Sequence, residues 1–130
     1  MAVNNYYDTR DQKSGEIVFP FGPASQNSID FAAAIELNLY NTKSIVTVGQ
    51  LTGVTTITSV PSKDIFVGSE LTLVLTADGS IRNVTFGTGF QVDVAAYVGG
   101  VVAVAANKTV KAYFEYDGTA FVLKSVIGID

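Results

Sequence analysis

The chain has 130 residues, which is the length of one domain with a single core. Hydrophobic residues make up 48% of it and charged residues only 15%, against the roughly 25% charged that is usual in soluble domains. So few charges leave wide areas of surface without any, and we expect some of that surface to contact another protein chain. The net charge of −4 argues against nucleic acid as a partner, because phosphate binding requires a positive surface.

Cysteine and histidine are both absent from the sequence. Disulfides, thiolate metal sites and the Ser-His-Asp and Cys-His catalytic arrangements are therefore excluded. Two carboxylates could still hydrolyse a glycoside, and Asp78 and Asp117 are the candidates. Each precedes a glycine, however, where the turn itself favours a short polar side chain. We expect no enzymatic activity, no cofactor and no metal ion.

The chain starts with a polar stretch instead of the basic and apolar regions of a secretory signal. Its longest uncharged run, residues 94–107, is shorter than the roughly 18 residues that a membrane-spanning helix needs. We expect a protein made and folded in a cytoplasm, with no membrane partner.

Residues 1–24 are expected to form an N-terminal arm and linker. Residues 1–15 show no apolar period, so burial cannot offset the cost of ordering them. Tyr6 and Tyr7 would anchor the arm if it docks on another protein, and a flexible tail is the alternative. Phe19 and Phe21 follow in a segment whose prolines hold the backbone extended and bar it from the middle of a sheet. That segment would cover its own domain or be lent to a neighbour.

Residues 25–130 are expected to form one compact all-β domain, a β-sandwich or a jelly-roll-like fold. Short β-branched and aromatic runs alternate with glycine-containing turns from Lys43 onward. Residues 28–38 are ambiguous, because Ser28 could cap a short helix while the alternation after Ala33 favours a strand. We favour the strand.

Two Asp-Gly dipeptides are expected to close β-hairpins. Asp78-Gly79 would turn the strand containing Leu71, Leu73 and Leu75 back through residues 84–86. Asp117-Gly118 would join residues 110–116 to residues 119–126.

Small and apolar residues fill positions 94–106. Small side chains let identical backbones approach closely, so three copies of this run could pack around a threefold axis. The alternative is a hairpin wholly inside one subunit, because buried strands have the same composition. The side chains expected to face the axis are Val94, Ala96, Val98, Val102 and Val104.

Tyr113 shares its strand face with Lys111 and Glu115, so it is a candidate exposed aromatic for stacking on a sugar. Tryptophan, the ring best suited to that contact, is absent. A glycan partner is therefore possible but not favoured.

Several stretches resemble a β-structured module that recurs in tailed-bacteriophage virion proteins. They are residues 34–41 (AIELNLYN), 44–48 (SIVTV) and 54–58 (VTTIT), then 68–79 (GSELTLVLTADG) leading to 82–90 (RNVTFGTGF), and 115–121 (EYDGTAF). The resemblance covers about three quarters of the chain, from Ala34 to the C terminus.

The resemblance implies a non-enzymatic virion protein of the head-decoration, head-fibre or tail-fibre type, commonly a homotrimer. A tail fibre would be expected to carry shaft repeats and a separate tip, whereas this chain is one module with an arm. We therefore expect an auxiliary or decoration subunit on the capsid, localised to the virion, whose partners are its own copies and virion proteins such as the major capsid protein. The alternative is a receptor- or glycan-binding module of a tail fibre.

Overall fold

The computed structural model of the protein describes residues 25–39, 41–61 and 65–129. In these residues the strands form two sheets with the hydrophobic core between them, so the predicted all-β sandwich is confirmed. No helix among the described residues is long and apolar enough to span a membrane. The strands are β1 (Ser25–Ile29), β2 (Ala34–Leu39), β3 (Lys43–Val48), β4 (Thr55–Pro61), β5 (Glu70–Thr76), β6 (Arg82–Phe86), β7 (Phe90–Gln91), β8 (Val101–Val104), β9 (Thr109–Tyr116) and β10 (Phe121–Ile129), with one 3₁₀ turn at Val98–Gly100.

Alternation along the strands decides which side chains enter the core. In β5, Leu71, Leu73 and Leu75 are buried, while the residues between them are partly exposed. Successive side chains of a strand point to opposite faces of its sheet, so an alternating sequence covers one face with apolar groups. β2, β3 and β9 repeat the pattern, and their inner faces meet in one core.

Strands β1 to β6 form a parallel coil. They alternate between the two sheets, and each pairs in parallel with the next-but-one strand of the chain: β1 with β3, β3 with β5, β2 with β4 and β4 with β6. A parallel pair needs a long crossover connection, and here a strand of the opposite sheet serves as the crossover. A jelly roll is built from antiparallel pairs, so the described residues follow the sandwich interpretation.

Strands β8 to β10 close the molecule with antiparallel pairs. β8 pairs with β6, β9 with β5, and β10 with β9. The six-stranded sheet has the order β1-β3-β5-β9-β10-β7, and the four-stranded sheet β2-β4-β6-β8. We call the end of the sandwich where β5 begins the loop end; it holds residues 65–69, 87–100 and 117–120. The opposite end is the turn end, with residues 30–33, 49–54, 77–81 and 105–108.

The predicted hairpin at Asp78-Gly79 is wrong, because β5 and β6 lie in different sheets. The Asp78 backbone bonds instead to two other loops of the turn end: its N–H donates to the Leu51 carbonyl (3.2 Å), and its carbonyl accepts from the Asn107 N–H (2.7 Å). The turn therefore carries the chain from one sheet to the other.

The hairpin at Asp117-Gly118 is confirmed, since β9 and β10 pair in antiparallel fashion. Asp117 Oδ1 accepts hydrogen bonds from the N–H groups of Thr119 (2.8 Å) and Ala120 (2.9 Å). Gly118 has a φ of 102°, a conformation that favours glycine. The side chain and the glycine together fix the turn.

The ambiguous residues 28–38 contain no helix. Ser28 belongs to β1, the chain crosses between the sheets over residues 30–33, and β2 begins at Ala34, as the favoured interpretation predicted. β1 itself, with the sequence SQNSI, was not predicted. Its polar composition gives no apolar alternation, and only pairing with β3 makes it a strand.

Candidate assembly surface

The run of residues 94–106 divides into two parts with opposite environments. Val94 and Val98 are 71% and 79% exposed, whereas Val102 and Val104 are 2% and 0% exposed. The expectation that all five predicted interface residues share one inward face is therefore wrong for Val102 and Val104. These two belong to β8, which pairs with β6 and turns them into the chain's own core.

The exposed part of the run is a loop with internal hydrogen bonds. Asp93 Oδ1 accepts from the Ala95 N–H (2.9 Å), and the Asp93 carbonyl accepts from the N–H groups of Ala96 (3.1 Å) and Tyr97 (2.7 Å). Tyr97 packs against the core, while Val94, Ala96 and Val98 remain exposed. One polar and one aromatic side chain thus hold a loop that presents aliphatic groups to solvent.

Other aliphatic side chains are exposed at the same end of the sandwich. Val60 lies near the end of β4, and Val67 lies in the loop that precedes β5. Together with Val94 and Val98 they form a set that we call the loop-end valines. Val60 and Val67 could not be predicted from the sequence, because valine in a β-rich sequence indicates a strand and does not show which side chains face outward.

Tyr113 lies on the outer face of the six-stranded sheet and is half-buried. Its register partners are Thr72 on β5 and Ser125 on β10, so a hydroxyl stands on each side of the ring. A cleft of about 330 Å³ opens here. Its lining residues are Glu70, Leu71, Thr72, Tyr113, Phe114, Lys124, Ser125 and Ile127.

An irregularity in β10 shapes this cleft. The register between β9 and β10 shifts between Leu123 and Ser125, which leaves Lys124 as the extra residue of a bulge. A bulge bends its strand and redirects a side chain. The Lys124 Nζ lies 3.5 Å from Glu115 Oε1, and this partly exposed ion pair contributes little stability.

Asp78 and Asp117 lie at opposite ends of the sandwich, because β9 runs from the turn end to the loop end between them. An eight-residue strand spans roughly 25 Å, which is too far for a glycosidase pair. The Arg82 guanidinium donates to Asp78 Oδ1 (2.8 Å) and Oδ2 (2.7 Å) and holds the pKa of Asp78 below its ordinary value. Backbone N–H groups of Ala120 and Thr119 lower the pKa of Asp117.

The predicted docking residues Tyr6, Tyr7, Phe19 and Phe21 lie outside the described residues. Within residues 25–39, 41–61 and 65–129, no group of three or more acidic residues is arranged to hold a metal ion.

Comparison with known proteins gives no match, either to a protein-family model or to a curated protein sequence.

Proposed function

We propose that this chain is a non-enzymatic structural protein of a tailed-bacteriophage virion, a capsid decoration or auxiliary subunit that assembles as a homotrimer. In this function it adheres to virion proteins such as the major capsid protein, with Tyr6 and Tyr7 as anchors of the arm. The main support is the loop of residues 94–100, which holds two valines in solvent at 71% and 79% exposure. Exposed apolar groups that an ordered loop presents are typical of protein contact surfaces.

The proposal also rests on the resemblance to the phage module and on the shortage of charge. An exposed valine side chain that becomes fully buried on assembly contributes about 1.5 to 3 kcal/mol to the free energy of association. Six such side chains in a trimer, two from each copy, could offset much of the cost of association.

The first test measures the solution mass of the purified protein by light scattering. We expect a mass close to three chains for the natural sequence, and a single-chain mass for the double variant Val94→Asp, Val98→Asp. The matched control is Val54→Asp, because Val54 is similarly exposed, at 62%, but lies at the turn end. A single-chain mass for the natural protein, or a trimeric mass for the double variant, would contradict the proposed trimer interface.

Mass spectrometry of purified virions tests the virion assignment itself. We expect peptides of this chain in particles of the phage that encodes it. Their copy number should stand in a fixed ratio to the copy number of the major capsid protein. Absence from the purified particles would exclude a decoration subunit.

The Tyr113 cleft supports a second candidate, a glycan-binding module of a tail fibre. An aromatic ring between two hydroxyls, with the Glu70 carboxylate nearby, suits a sugar ring that stacks on one face and donates hydrogen bonds at its rim. We expect Tyr113→Ala to abolish glycan-array binding and Tyr113→Phe, which keeps the ring, to retain most of it. Absence of binding by the natural protein, or equal binding by Tyr113→Ala, would remove this candidate.

A further inference from the structure

Two strand edges lie open on one side of the sandwich. β1 and β2 line a common cavity, so the other ends of the two sheets, with β10 and β8, lie together on the opposite side. β7 pairs with β10 only at Phe121 and Val122, and β8 is the last strand of its sheet. In the described residues, one edge of residues 123–129 and one edge of β8 therefore meet no further strand. The unpaired N–H and C=O groups of such an edge are a template for a strand of another chain.

Both open edges run in the same direction. β9 runs from the turn end to the loop end, and β10 runs antiparallel to it. β8 likewise runs antiparallel to β6, from the loop end to the turn end. When copies of the chain form a ring around an axis along the strands, β10 of one copy meets β8 of the next in parallel orientation. A ring of three copies uses every one of these edges and closes on itself.

The side chains of the two edges do not prevent pairing. Natural edge strands are protected by charged residues, prolines or bulges. β10 has a bulge at Lys124, but residues 125–129 and the residues of β8 contain neither a charge nor a proline. Ile127 and Ile129 are exposed on the outer face of the sheet. Beyond Lys124, the edges therefore lack the features that keep other strands away.

The inner face beside the β10 edge is only partly covered. Leu123 and Val126 pack against the core but remain half-buried. Gly128 is exposed, although its register partner Val110 on β9 is buried. A Cβ added at Gly128 would meet no described atom within 4 Å beyond the adjoining residues. The core is therefore open on this side to apolar groups from a neighbouring chain.

We propose that the open edge of β10 pairs in parallel with β8 of the next copy, so that each six-stranded sheet continues into the four-stranded sheet of its neighbour. The proposal rests on the homotrimer proposed above and names the strands that join its subunits. Ile127 and Ile129 then pack beside Val101 and Ala103 of the neighbour, because all four side chains face outward on their strands. Aliphatic pairs of this kind stabilise neighbouring strands.

The proposed strand pairing and the proposed valine contact lie on the same side of the molecule. Val94 and Val98 belong to the connection from β7 to β8, at the loop end of the side where β8 and β10 are open. The axis of the ring passes along this side. The valines and the two edges therefore form one continuous interface.

A second copy suits these edges better than a foreign strand does. Each copy supplies one edge of each kind, and both edges run in the same direction, so a ring fills them all. A foreign strand would fill one edge and leave the other open. Residues 125–129 and β8 carry no charge, so two chains with a net charge of −4 each do not repel one another along these edges.

Engineered cysteine pairs test the proposal, because the natural chain contains no cysteine. Ala103→Cys is combined with Ile127→Cys or with Ile129→Cys, which cover neighbouring registers. Paired strands lie about 4.8 Å apart, within the Cα separation that a disulfide accepts. β8 and β10 of one chain belong to opposite sheets about 10 Å apart, which is too far for a disulfide. Under native, mildly oxidising conditions we expect disulfides between chains, and non-reducing electrophoresis should show a ladder that ends at three chains.

The control combines Ala103→Cys with Val74→Cys. Val74 faces outward on β5 in the same row as Ile127, with Lys111 between them, and lies about 14 Å from β8 of the neighbour in the proposed pairing. We expect no disulfide from this pair. Linking no higher than in the control for both test pairs would overturn the proposal. Linking of Ile127→Cys alone into two-chain products would overturn it as well, because two β10 edges would then pair about a twofold axis.

Amide hydrogen exchange provides an independent measurement on the full chain. We expect residues 125–129 to exchange more slowly in the natural protein than in the double variant Val94→Asp, Val98→Asp, because the strand pairing is lost when the subunits separate. Residues 43–48 of β3 are the internal control, since they pair with a strand on each side within the chain. Equal exchange of residues 125–129 in the two proteins would overturn the strand pairing.

The strand pairing and the proposed function can fail separately. A trimeric mass without disulfide linking would leave the trimer in place and overturn only the pairing of β10 with β8. A single-chain mass for the natural protein would contradict the trimer itself.

Discussion

Val98 and Val102 are the same residue type four positions apart, yet 79% of one is exposed and only 2% of the other. Both lie in a run of small apolar residues whose composition does not distinguish its two parts. The difference comes from the partner strand. Val102 is paired with Val84 of β6 and turned into the core, whereas Val98 lies in the 3₁₀ turn before that pairing begins. One part of the run thus stabilises the fold, and the other is exposed to solvent.

The largest effect is expected when a charge is placed on each side of this comparison. Val102→Asp buries a carboxylate without a partner. We expect a loss of about 4 kcal/mol or more, enough to unfold a domain of ordinary stability. In the dissociated monomer, where no trimer contact contributes, Val98→Asp should change the free energy of unfolding by about 0.5 kcal/mol or less. Urea unfolding followed by circular dichroism measures both, and a folded Val102→Asp monomer would instead place Val102 at an interface.

An intermediate effect is expected at the two glycines where the exposed part meets the buried part. Gly99 and Gly100 have φ values of 69° and 74°, so alanine costs about 1 kcal/mol at either position. At Gly100 an added Cβ would lie 3.0 Å from the Phe86 carbonyl oxygen, whereas at Gly99 its nearest contact beyond the adjoining residues would be Val101 Cγ2 at 3.9 Å. We expect Gly100→Ala to lower the free energy of unfolding by about 1 kcal/mol more than Gly99→Ala. Equal losses in urea titrations would contradict the close approach of Gly100 to β6.

The smallest effect is expected at the turn end, where the chain leaves β8. The turn that follows β8 donates the Asn107 N–H to the Asp78 carbonyl, and the Arg82 guanidinium forms an ion pair with the Asp78 carboxylate. The pKa of Asp78 is lower in the folded state than the ordinary value of 3.8. The ion pair therefore stabilises the fold above that value, and its contribution is lost as pH falls through the lowered pKa.

NMR titration of the Asp78 carboxyl group measures this pKa directly. We expect Arg82→Gln to raise the pKa of Asp78, because the side-chain hydrogen bonds from Arg82 are the main cause of the lowering. Asp117 is the internal control, since backbone N–H groups lower its pKa and Arg82 does not. An unchanged Asp78 titration in the variant would show that Arg82 is not the cause.

Most strands could be predicted from local patterns, because alternating apolar residues and Asp-Gly turns act over a few neighbouring positions. The leucines of β5 and the Asp117-Gly118 hairpin are examples. The predicted hairpin at Asp78-Gly79 was wrong, because such local patterns do not show which strands pair. The same dipeptide can join two paired strands or carry the chain between two sheets, and only the pairing of β5 with β9 decides between them.

The candidate sites show the same division. Tyr113 could be assigned to an outward strand face from its alternation, but the cleft beside it depends on the bulge at Lys124, which no local residue pattern indicated. Two of the loop-end valines, Val94 and Val98, could be predicted, since the small apolar residues of 94–106 indicate a contact segment. Which of them face solvent depends on where β8 begins.

The sequence by itself determined that this is an all-β domain with few charges and without cysteine or histidine, because composition and two-residue periodicity are local properties. The tertiary structure alone decided that β1 to β6 coil in parallel between two sheets, and that Val102 is core while Val98 is surface. Parallel pairing joins residues 19 to 29 positions apart, and contacts at that separation follow from how the two sheets stack over one shared core.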